Sequence, residues 1–149
     1  MARATSSLDR LIEMAEERLN NASQALGHCR AEQQRCDTQL KKIEAYLLQY
    51  RKGLNQLGVS GASAQRFAQH QAFIESLDIT RKHQMHQLDM ACQRADRALA
   101  FWQEIKRETN AYEILRTRRR QAALAREKRL DQRLMDEYAS RSRLAMSGT

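Results

Sequence analysis

QLGVSGASA, residues 56–64, holds two of the five glycines in a chain that contains no proline. The stretch is either a flexible joint between two modules or a bend that folds one long element back along itself, and the sequence on either side decides which. Stepping alternately four and three residues from Leu8 gives Leu8, Ile12, Ala15, Leu19, Ala22, Leu26, Cys29, Gln33, Cys36, Leu40, Ile43, Leu47, Tyr50, Leu54 and Leu57. Only Gln33 is polar. A register held this long is the signature of a coiled-coil seam, and a stripe so narrow leaves its helix unstable unless another helix covers it.

The other side of the stretch supplies the cover. Phe67, Ile74, Leu77, Leu88, Ala91, Ala95, Ala98, Trp102, Ile105 and Tyr112 fall on the same four-three spacing, interrupted by His70, Arg81, Gln84 and Thr109. Within 56–64, Gly58 is placed to end the first helix, and Ser60 or Ser63 to cap the start of the second. The expected fold is all-α: an antiparallel two-helix coiled coil, with helix 1 over about 5–57, a bend at about 58–63 and helix 2 over about 64–142. One hairpin domain then accounts for residues 1–149.

Composition agrees with that reading. Charged residues make up 30% of the chain and aromatics 5%, the balance of solvated helices rather than of a thick core. Cys29, Cys36 and Cys92 are an odd number without metal-ligand spacing, so they read as small apolar residues rather than as a disulfide framework. No run of about 18 apolar residues is present to span a bilayer, and no secretory leader is read near Met1, which makes the cytoplasm the expected compartment. His83 and His86 lie one turn apart but lack further ligands, and no phosphate loop, nucleophile elbow or carboxylate pair appears. Neither catalysis nor a cofactor is expected, because a two-helix coil encloses no cavity from which water is excluded.

Two surfaces remain for function. Tyr46 and Tyr50 precede the bend, Phe67 and Phe73 follow it, and antiparallel folding gathers all four, with Tyr46 and Phe73 off the seam. Pairing outward from the bend places position i near roughly 121 minus i, so the first helix runs out while the second continues past about Leu115. This overhang, about 116–142, is where the charge collects. Residues 1–57 carry nine basic and seven acidic side chains, 58–115 seven of each, and 116–149 ten and four. Such a helix is either solvated or docked on something acidic.

The order of YRKGLNQL, the Gly/Ser bend, RFAQHQAFIESL, the tryptophan in ALAFWQEIK and finally RLDQRLMDEYASR resembles the FliJ family of the flagellar type III export apparatus. The resemblance spans nearly the whole chain, and QAFIESL and RLDQRLMDEYA are its most specific parts. It implies a stalk similar to the central shaft of rotary ATPases, whose base projects into the hexameric export ATPase FliI. It implies further partners in the export gate FlhA, the ATPase regulator FliH and export chaperones, at the cytoplasmic face of the flagellar base.

Matched residue by residue, the gate-facing side implied is Gln39, Ile43, Tyr46, Tyr50, Phe73 and Leu77; Thr80 and Gln84 extend it but depart from the family's usual residues. The ATPase contacts implied for the base are Arg116, Arg118, Arg119, Arg120, Arg126, Lys128, Arg129 and Arg133, with Leu130 and Met135 as apolar anchors. Two other classes fit the same sequence. A basic coiled coil binds nucleic acid through its phosphates, although Glu127, Asp131, Asp136 and Glu137 interrupt the basic run. A straight or swapped homodimer also satisfies the heptads.

Overall fold

The computed structural model describes the backbone of residues 2–148 and the side chains of residues 7–148. Met1 and Thr149, the ends of the expected domain, lie outside the described residues. The fold is all-α, with two helices, α1 (Ala2–Ser60) and α2 (Ala64–Ser147). They pair antiparallel as a coiled-coil hairpin: Tyr50 meets His70, Cys36 meets Gln84 and Glu32 meets Arg94, so partners on α2 advance as α1 is followed backwards.

The bend is tighter than the glycine pattern suggests, and it lies later. Gly58 is helical, and the chain turns at Gly61, whose φ of +72° is open to glycine at little cost. Around it the Ala62 N–H donates to the Leu57 carbonyl at 3.2 Å, the six-to-one bond of a Schellman ending. The Ser60 hydroxyl donates to the same carbonyl. Ser63 then caps α2, its Oγ accepting from the Arg66 N–H at 3.3 Å. The expected cap at Gly58 is therefore corrected to Gly61, and the expected 58–63 bend to Gly61–Ser63. One ladder step beyond Leu57 is position 61, so the helix continues until the seam itself reaches a glycine.

The chain divides into two compact units, Arg18–Ile105 and Met1–Glu17 with Lys106–Thr149. In the first, Ala22, Leu26, Leu47, Ile74, Ala91, Ala95 and Ile105 are buried. Alanine is small enough to let the helix backbones come close, which is how a surface-poor pair still shields its seam. The middle of this seam is polar: Gln84 Nε2 donates to the Cys36 carbonyl at 3.1 Å and to Gln39 Oε1 at 3.2 Å. In the second unit Leu8, Ile12 and Ala15 are buried, as is Thr109. No fully buried side-chain nitrogen or oxygen among the described residues lacks a hydrogen-bond partner, so the cost of desolvating them is offset.

All fifteen α1 ladder positions are buried or half-buried. On α2 the same holds from His70 to Arg116, and from Thr117 to Gly148 every residue is exposed. That boundary marks where the seam loses its partner.

Candidate functional site

The aromatic group before and after the bend lies within the unit Arg18–Ile105 and is assembled largely as the pairing dictates. Tyr50 occupies the seam, its ring centroid 4.7 Å from that of Phe73 at a tilt of 57°, a favourable offset for two aromatic quadrupoles. Its other neighbour is His70, at 5.3 Å. His70 Nε2 lies 2.8 Å from the Tyr50 carbonyl, and since a carbonyl only accepts, that nitrogen carries the hydrogen. Gly53 leaves room for this approach: a Cβ there would stand 3.3 Å from His70 Nε2, and the ring would have to give by a few tenths of an ångström.

Seam packing leaves the outer members of the group open. Tyr46 is 56% exposed and Phe73 46%. Ile43 and Leu77 are half-buried beside them, and Gln39 is exposed with its amide oxygen held by Gln84. Thr80 is exposed and donates to the Ser76 carbonyl of its own helix. Phe67, a ladder position, is exposed because it faces the bare backbone of Gly58 in the first turn of α2. Next to Leu77, Asp78 accepts from Arg81 Nε at 3.0 Å, and this bond holds its carboxyl below the usual carboxylate range, with Lys82 adding charge attraction. His70 was legible in the sequence only as an interruption of the ladder, and Gly53, off the ladder, not at all; their shared signal is a glycine on α1 opposite a seam histidine.

The second surface lies in the other unit. Arg116 is half-buried, with its guanidinium 4.0 Å from Asp9, so it belongs to the paired portion. Arg118, Arg119, Arg120, Arg126, Lys128, Arg129 and Arg133 are exposed on the unpaired helix. Leu130 is 58% exposed and Met135 73%. Ladder reading passed over Leu124, Leu134, Tyr138 and Leu144, which are equally open. Most of them lie off the ladder, and they are found only by following the helix face after the seam has ended. Shallow furrows run along this helix, one lined by Ala123, Leu124, Arg126, Glu127 and Leu130. They suit side chains of a partner rather than a small molecule.

His83 and His86 are exposed, and among the described residues no group of three or more metal-ligating side chains includes them. Among the same residues no helix is long and apolar enough to cross a membrane.

The chain matches the family profile described as Flagellar FliJ protein over residues 5–145. It is 35% identical over 136 residues to the Flagellar FliJ protein of Salmonella typhi, covering 91% of this chain and 92% of that one. The Flagellar FliJ protein of Escherichia coli K12 is similar to the same extent.

Proposed function

This chain belongs to the FliJ family of flagellar proteins, and we propose that it is a non-enzymatic stalk of flagellar type III export, which couples the hexameric export ATPase to the export gate. The observation that carries the reading is the helix from Thr117 to Ser147, exposed on every side, rich in basic residues and studded with open apolar side chains. A helix that is merely solvated has no use for Leu130, Leu134, Met135 and Tyr138 at that exposure. Apolar anchors framed by arginines are what a protein partner rewards.

A single asymmetric helix meeting a ring of like subunits cannot satisfy all of them equally. Its charges favour closure of some subunits over others, so coupling is by position and not by bond chemistry. Arg118, Arg119, Arg120, Arg126, Lys128, Arg129 and Arg133 supply the attraction to acidic ring surfaces, and Leu130 and Met135 the buried anchors. Arg116, tied to Asp9, sets where the overhang begins. The gate docks on Tyr46 and Phe73, with Gln39, Ile43, Tyr50 and Leu77 framing them. The ATPase regulator and export chaperones complete the partner set, at the cytoplasmic face of the flagellar base.

A double dissociation tests this. Leu130→Ala with Met135→Ala is expected to lower stimulation of the purified export ATPase several-fold and leave gate binding intact. Tyr46→Ala with Phe73→Ala is expected to do the reverse. If both pairs affect both readouts equally, the two-surface assignment is wrong.

A further inference from the structure

The Glu32–Arg94 ion pair, 3.8 Å long, reveals which flanking positions share a side of the unit Arg18–Ile105. Each residue sits immediately before a seam position, Gln33 on α1 and Ala95 on α2. In an antiparallel coil the residues preceding the seam on both helices line one side, and those following it line the other. Sorted this way, the preceding positions of this unit carry six basic and two acidic residues, and the following positions four and six. The aromatic residues are sorted still more sharply. Tyr46, Phe73 and Phe101, the three that flank the seam, all lie on the basic side.

Phe101 is 28 residues, four whole heptads, beyond Phe73, on the same face but roughly 40 Å along the helix. It is 52% exposed. Arg97 and Arg94 precede it by four and seven residues, so all three form one ridge, and both arginines are exposed. Their present engagements are weak: Arg97 Nε reaches the Gln93 carbonyl of its own helix at 3.4 Å, and Arg94 the partly exposed Glu32. The floor beside the ridge is low, because Ala22 and Ala95 are buried and Ala98 half-buried.

We propose that this ridge and its shallow groove dock an acidic amphipathic helix of another protein. An apolar side chain of that helix seats against Phe101, and carboxylates one and two turns away meet Arg97 and Arg94, displacing Glu32. A helix suits the site because Arg94 and Phe101 stand one heptad apart, about 10.5 Å, which a partner helix repeats. Glu104, one turn past Phe101, repels a carboxylate there and so fixes the direction in which the helix lies. This docking is separate from the Tyr46 and Phe73 surface and does not depend on the reading of the overhang.

The chain's single tryptophan, Trp102, adjoins Phe101 and reports on the site. The probe is a helical 18-residue peptide with leucines seven apart and glutamates on the turns to one side, titrated into the full chain while Trp102 fluorescence is followed. Saturable binding is expected, weakened about tenfold or more by Phe101→Ala, as for an interface anchor. Arg94→Glu with Arg97→Glu is expected to abolish it and to allow binding of the matching lysine peptide. Tyr46→Ala with Phe73→Ala is expected to leave it unchanged, and circular dichroism checks that each variant remains helical. No saturable response, equal binding of acidic and lysine peptides, or indifference to Phe101→Ala would overturn the proposal. So would sedimentation showing the 17.3 kDa chain dimerising through Phe101 instead.

Discussion

At the scale of single residues, the turn rests on one of two neighbouring glycines. Gly58 and Gly61 are both plausible helix endings by residue type. The Schellman bond to Leu57 separates them, since it requires the left-handed residue four positions after Leu57. Gly61 has no atom within 4 Å of an added Cβ, so the cost of Gly61→Ala is conformational alone, about 1 kcal/mol. At Gly58 an added Cβ would make ordinary contact with Phe67 at 3.9 Å in a helical backbone. Gly58→Ala is therefore expected to stabilise the fold by about 0.5–1 kcal/mol. Urea unfolding of the two variants checks the assignment, and equal or inverted effects would move the turn back to Gly58. The His70 bond to the Tyr50 carbonyl was illegible for a different reason. It depends on a cross-helix neighbour, Gly53, that no periodicity within one helix brings into view.

At the scale of the helices, the seam was legible because its period is a property of the sequence: every ladder position named on α1 is shielded. Side-chain placement beyond the seam was not, since the exposed faces obey no period. The overhang holds its helix through composition rather than packing. It is rich in Arg, Ala and Leu, lacks glycine until Gly148 and carries Glu137 and Arg141 at a favourable spacing. Because no residue from Thr117 to Gly148 is shielded, a chain ending at Arg120 is expected to lose that helical signal and yet keep its main unfolding midpoint within about 2 °C. Thermal melts of the full and shortened chains measure this. A drop of several degrees would mean that the overhang stabilises the paired helices after all.

At the scale of the whole molecule, a net charge of +8 bears on partners and not on fold, and two classes of partner compete for it. Phosphates respond to Lys and Arg alone, and nucleic-acid affinity falls steeply with salt as counterions are released. A protein surface responds also to apolar anchors, whose contribution salt hardly weakens. Arg119→Glu with Arg129→Glu, set against Leu130→Ala with Met135→Ala, separates the two, since all four side chains are exposed on the same unpaired helix. In the stalk reading both pairs weaken ATPase stimulation several-fold, part of the effect persists at high salt, and duplex DNA does not compete. In the nucleic-acid reading the charge reversals abolish DNA binding, the apolar changes are silent, and affinity collapses between low and physiological salt. Open leucine and methionine side chains between the arginines favour the first outcome, because a phosphate backbone offers them nothing to bury against. An overhang whose charge reversals spare ATPase stimulation while DNA affinity falls would transfer this segment to the nucleic-acid class.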